Sequence, residues 1–164
     1  MRNMNTLIVY ASQKGSTADC ANYLKEQMMG KVTVLNVEEK IPKLNDFDTI
    51  IIGGSIHMMK IQRKITSFCK RNKQQLLEKN LGLFVCCYTT VGDADFFETF
   101  FDKCLLTHAK MTSIFGGEMR YDRLNVVYRK LFQSLNKIED FRKGFVEPEI
   151  NYEEIDKFAK AIYE

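Results

Sequence analysis

The strongest constraint on this chain is an alternation of short β-branched apolar runs with longer stretches of helical period. Thr6–Tyr10, Thr-Leu-Ile-Val-Tyr, lacks polar alternation and reads as a strand covered on both faces. Ser16–Met29 follows as a helix, with Ala18, Ala21, Leu24 and Met28 spaced along one side. The same reading predicts strands at Val32–Val37, Asp48–Ile52, Leu81–Cys87 and Thr112–Phe115. It predicts further helices at Ile61–Cys69, Phe96–Leu106, Arg123–Ile138 and Tyr152–Tyr163. Doubly covered strands separated by helices require a parallel sheet between two helical layers. With right-handed crossovers this is an α/β, three-layer doubly wound fold with a five-stranded parallel sheet.

A length of 164 residues predicts a single domain spanning residues 1–164. Two prolines and nine glycines leave no linker or low-complexity tail. The longest apolar stretch, Leu81–Tyr88, is far shorter than the ~20 residues that span a bilayer. Met-Arg-Asn-Met-Asn runs straight into the first strand, so no signal peptide is expected, and the expected location is cytoplasmic. The five cysteines are odd in number and none forms a Cys-x-x-Cys pair, so buried reduced thiols are expected. His57 and His108 lie far apart with no ligand spacing, so no metal site is expected. A net charge of +3 and no aromatic-basic recognition motif argue against nucleic-acid binding.

In open α/β sheets a ligand sits beyond the carboxyl ends of the strands, at the switch point. The loop after the first strand is Ala11-Ser12-Gln13-Lys14-Gly15-Ser16-Thr17, opening directly into a helix. Gly15 can turn backbone N–H groups inward, so amides, hydroxyls and a helix N-terminus converge on one phosphate. An ordinary Ser/Thr helix cap is the alternative. The segment lacks Gly-x-Gly-x-x-Gly and Gly-x-x-x-x-Gly-Lys-Ser/Thr, which disfavours a dinucleotide fingerprint and a nucleotide-triphosphate P-loop. The acidic pocket of a phosphoacceptor receiver is missing, since strand three ends in Gly53-Gly54-Ser55.

Ser12-x-Lys14-Gly15-x-Thr17 resembles the flavodoxin phosphate loop, Ser/Thr-x-Ser/Thr-Gly-x-Thr, with lysine at the second hydroxyl position. All five strands fall at flavodoxin spacing, which implies the sheet order 2-1-3-4-5. Ile51-Ile52-Gly53-Gly54-Ser55-Ile56 and Gly116-Gly117-Glu118-Met119-Arg120-Tyr121, then a basic helix with Tyr128-Arg129, are similar to the flavodoxin-type, oxygen-independent protoporphyrinogen oxidases. The resemblance implies FMN, with Ser12, Gln13, Lys14, Gly15, Ser16 and Thr17 on its phosphate. It also implies that the loops after strands three and four bracket the isoalloxazine ring, through Ser55, His57, Tyr88, Thr89 and Gly92. Gly53 and Gly54 would admit a flat ligand close to the backbone, and Met58 or Met59 would touch it. Against this, a strand-end tyrosine and two methionines also serve as packing, and His57 as a surface or capping residue. The chain has no tryptophan, so the family's usual stacking partner is missing. No side chain stands out as an acid or base.

The mild net charge conceals two basic segments. Between His57 and Asn80 there are seven basic residues against one acidic, and between Met119 and Lys137 five against one. The remainder, Ile138–Glu164, has four basic and eight acidic residues. Leu124, Val127, Tyr128, Leu131, Leu135 and Ile138 recur at helical spacing, so an extra amphipathic basic helix is expected at about 123–138. Such a helix either packs on its own domain or lies on an anionic membrane surface, here the inner face. Three functions remain open: an FMN electron carrier, a flavoenzyme oxidising a porphyrinogen or reducing a quinone, and a flavin-free interaction domain. The carrier needs a redox partner protein; electron-carrier flavodoxins are typically acidic, and this chain is not.

Overall fold

The strands lie at Asn5–Tyr10 (β1), Lys31–Asn36 (β2), Thr49–His57 (β3), Lys60–Ile61 (β4), Asn80–Cys86 (β5) and Met111–Ile114 (β6). The helices are Ser16–Gln27 (α1), Arg63–Arg71 (α2), Lys73–Leu77 (α3), Ala94–Glu98 (α4), Lys103–His108 (α5), Val126–Asn136 (α6), Glu139–Gly144 (α7) and Tyr152–Ala161 (α8). These come from a computed structural model, which describes residues 4–12, 15–57, 59–87, 94–118, 126–144 and 148–164. Five strands run parallel in the order β2-β1-β3-β5-β6, the doubly wound order expected. The two-residue β4 is an addition, antiparallel to the end of β3 through Ile56–Ile61 and His57–Lys60.

Alternate residues of each strand enter opposite layers, as a period of two requires. Leu7, Val9, Ile50, Ile52, Leu83 and Val85 pack with Ile65 and Phe68 of α2, Leu76 of α3 and Leu105 of α5. Ile8, Ile51, Phe84 and Cys86 face Cys20 and Leu24 of α1 and Ile155 and Phe158 of α8. Phe84 anchors the second layer, stacked on Phe115 at 4.5 Å and edge-on to Phe158 at 6.4 Å.

Three expectations need correction. Strand three runs to His57 instead of stopping at Ile52, so Gly53, Gly54 and Ser55 are strand residues. The helix expected over Phe96–Leu106 is two helices, because Asp102 adopts extended backbone (φ −58°, ψ 137°) and caps α5. Its carboxylate accepts from the Cys104 N–H at 2.8 Å and pairs with Lys73 at 3.1 Å. Four cysteines are buried, whereas Cys104 is exposed in the first turn of α5. In α6, Val126, Val127 and Leu131 are 64%, 74% and 53% exposed, while Leu135 is half-buried. Among the described residues, no helix is long and apolar enough to cross a membrane.

Candidate functional site

The chain leaves β1 for β2 on one side and returns to β3 on the other, so the switch point lies between β1 and β3. At this carboxyl end sits a small cleft of about 20 Å³. It is lined by Ser12, Ser16, Thr17, Ser55, Ile56, His57, Cys86, Cys87, Gly117 and Glu118. The structure therefore brings together five of the expected site residues: Ser12, Ser16 and Thr17 from the first loop, Ser55 and His57 from β3. Gln13, Lys14, Met58, Tyr88, Thr89, Gly92 and Met119–Tyr121 lie outside the described residues.

The first loop is built around Gly15, which takes φ 93° and N-caps α1. A side chain is disfavoured in that left-handed conformation, which explains glycine there. The Gly15 N–H donates to Ser12 Oγ at 2.8 Å, and its carbonyl accepts the Asp19 N–H at 3.1 Å to start the helix. Ser16 is turned elsewhere: its hydroxyl donates to the Glu118 carbonyl and accepts the Glu118 N–H, both at 3.2 Å. Ser16 thus ties α1 to the segment after β6.

Thr17 is 1% exposed, and beyond a contact with the Cys86 thiol its Oγ1 is hydrogen-bonded to no described residue. Most buried hydroxyls find a partner within the fold, so one at a cleft wall is a donor available to a group entering from outside. The α1 N-terminus adds partial positive charge beside it. The described lining holds Glu118 and no lysine or arginine, so an anion here would be met by neutral donors and the helix dipole alone. The donor set fits a flavin phosphate.

Around β3 the structure revises the expected roles. A Cβ on Gly53 would run into the Phe84 ring, and one on Gly54 would lie 2.7 Å from Ile61 Cδ1 and 2.9 Å from Gln62 Oε1. Both glycines accommodate protein, not a flat ligand. Ser55 exchanges bonds with Gln62: its N–H donates to Gln62 Oε1 at 3.0 Å, and Gln62 Nε2 donates to the Ser55 hydroxyl. His57 ends the strand half-buried at the cleft, opposite Lys60 in the hairpin. Met59 closes that hairpin at φ 59° and is 62% exposed.

Ile56, Cys86, Cys87, Gly117, Glu118 and the supporting Gln62 were not among the expected site residues. The signal for Gly117 and Glu118 was positional, since they follow β6 at the carboxyl edge of the sheet. Cys86 forms part of the floor; hydrogen bonding with Cys20 and then burial push its thiol well up, against a small opposing effect of the nearby Thr17 hydroxyl. Burial, reinforced by Asp102, pushes Cys69 up to about 12. These thiols stay protonated, so neither supplies a thiolate nucleophile.

Comparison with known proteins bears on the family and the fold. The family model described as Flavodoxin domain matches residues 7–144. No curated protein matches the chain. Among solved structures, a two-electron reduced flavodoxin of Megasphaera elsdenii aligns with a TM-score of 0.53 at 20% identity, over 66% of this chain and 84% of that one. A Streptococcus pneumonia TIGR4 flavodoxin aligns at 0.53 and 14% identity, over 97% of each chain. Rubredoxin oxygen:oxidoreductase of Desulfovibrio gigas aligns at 0.58 and 14% identity over 96% of this chain, which spans only 35% of that protein. At these identities the structures speak for the fold alone. The family match covers most of the sequence, and the chain belongs to the flavodoxin family of FMN-binding electron-transfer domains.

Proposed function

We propose that this chain holds FMN at the β1–β3 cleft and passes electrons to and from partners through it. The buried Thr17 hydroxyl at the α1 N-terminus, hydrogen-bonded to no described residue beyond its contact with the Cys86 thiol, carries the reading. Thr17 and the backbone N–H groups of the first loop bind the phosphate, with Gln13 and Lys14 completing the loop. Ser12 braces the turn through Gly15. Ser55 and His57 form one wall for the ring, and Tyr88, Thr89 and Gly92 are assigned to the other. Bound FMN supplies the one- and two-electron chemistry. The residues here position it and exclude water. The test is titration of flavin-free protein with FMN and with riboflavin, which lacks the phosphate. Two charge-assisted hydrogen bonds at about 1.5 kcal/mol each predict FMN binding tighter by ~100-fold or more. Equal affinities would remove the phosphate site.

A finer reading is that the electrons move between a porphyrinogen and a quinone at a membrane, as in the protoporphyrinogen oxidases that the sequence resembles. The exposed Val126, Val127 and Leu131 of α6, interspersed with Lys130, support it, because a basic amphipathic helix adsorbs to anionic lipid. Anaerobic incubation of FMN-loaded protein with protoporphyrinogen and a quinone should yield porphyrin fluorescence above a free-FMN control. Fluorescence no higher than the control leaves the carrier function alone.

A further inference from the structure

The cleft's rim continues into a predominantly basic surface. From Lys60 to Arg71 the chain carries Lys60, Arg63, Lys64, Lys70 and Arg71 and no acidic residue. All five are exposed, while Ile65, Phe68 and Cys69 face the core, so the cations share the outward side of α2 and its hairpin. Lys64 pairs with Glu38; the other four form no ion pair among the described residues. At the hairpin tip stands Met59, a non-glycine residue at φ 59° whose side chain is 62% exposed. The same hairpin begins at His57, which lines the cleft. A groove bordered by Arg63, Lys64 and the Glu38 that pairs with Lys64 also reaches Ser12, so cleft and basic face share a wall.

We propose that the β4 hairpin and the outer side of α2 form the docking surface for an acidic redox protein, with Met59 as its apolar centre and the cations as its rim. The inference rests on the electron-transfer reading and names the partner's chemistry. An apolar contact ringed by like charges is the usual anatomy of a transient interface, and the charge steers encounter more than it adds affinity. Between the cations α2 presents Thr66 and Ser67, without the apolar wedge that lipid adsorption needs, so carboxylates of a protein fit this face better than a bilayer.

Cytochrome c provides the probe in two forms, the native basic protein and the same protein with its lysines succinylated to acidic. FMN-loaded, reduced protein should reduce the succinylated form at least tenfold faster at low salt, with the advantage collapsing as salt screens it. Lys60→Glu/Arg63→Glu/Lys70→Glu should reverse the preference while retaining FMN. Met59→Gly, which suits the positive φ, should weaken docking several-fold without lowering Tm. Binding of flavin-free protein to succinylated cytochrome c, followed by calorimetry, should be lost in the triple variant; this separates the surface from the flavin reading, since it needs no FMN. A salt-independent rate, an unaltered preference in the triple variant, or binding to anionic vesicles abolished in place of cytochrome binding overturns the proposal.

Discussion

Thr17→Val changes one buried hydroxyl to a methyl of nearly the same shape, and it should move two quantities in opposite directions. In the flavin-free protein the Thr17 hydroxyl is buried and, beyond its contact with the Cys86 thiol, bonded to no described residue. An unsatisfied buried hydroxyl costs about 1–3 kcal/mol, and threonine and valine have similar helix propensities. The substitution should therefore raise unfolding free energy by roughly 1 kcal/mol. With FMN bound, the lost hydrogen bond to a charged acceptor is worth about 1.5–3 kcal/mol, a loss of affinity of roughly 10- to 150-fold. At FMN equal to 100 times the wild-type Kd, ligand binding adds about 2.7 kcal/mol to the wild type. If affinity falls 100-fold, the same concentration adds only about 0.4 kcal/mol to the variant. The order of stability thus inverts when FMN is added. Urea unfolding with and without FMN measures both arms, and riboflavin affinity serves as the control that should not move. A variant less stable without FMN, or one that binds FMN like the wild type, would refute the assignment of Thr17.

Three further substitutions test the fold around the cleft. Gly53→Ala forces a methyl against the Phe84 ring and should cost about 1–3 kcal/mol or more, relieved in part by Phe84→Leu; additive losses in urea unfolding would show that the two do not compete for space. Asp102→Asn keeps the cap acceptor of α5 but removes the pairing with Lys73. The Cys104 N–H and then Lys73 hold the Asp102 carboxyl below its ordinary value of 3.8. Its stabilisation is therefore full above that value and lost as pH falls through the lowered one. Tm of the wild type should drop more steeply than that of the variant across that acid range, and parallel curves would contradict the pairing. Gln62→Leu strips the Ser55 N–H of its acceptor and should cost about 1–3 kcal/mol, with faster hydrogen exchange at the Ser55 amide; unchanged exchange would show the bond to be unimportant.

The layers were legible in the sequence because doubly buried strands leave an unbroken apolar signature, as in Leu7–Val9 and Ile50–Ile52, both fully buried. What escaped was decided by single side chains. Asp102 breaks a helix that the periodicity of Phe96, Phe97, Phe100 and Leu105 would carry through, and a cap is weak evidence until its N–H partner is known. The β4 hairpin follows from a pairing of Ile56 with Ile61 that no local pattern announces. Gly53 and Gly54 looked like openings because space for a ligand and space for Phe84 or Gln62 make the same demand on a strand. In the first loop, the residue types pointed correctly to a turn with hydroxyls at its edges. Their division of labour, Ser12 inward to Gly15 and Ser16 across to Glu118, depends on the distant segment after β6.

That last contact joins residues 102 positions apart. On a ribosome adding 5–20 residues each second, the first loop emerges ~5–20 s before the segment that completes the cleft wall. During that interval β1 can form and α1 can nucleate, yet the cleft has only one side. Closure of the cleft therefore waits on the segment after β6, whatever forms earlier around α1. A chain interrupted after β5 would retain the hydroxyls of the first loop and still lack the Gly117–Glu118 side of the cleft.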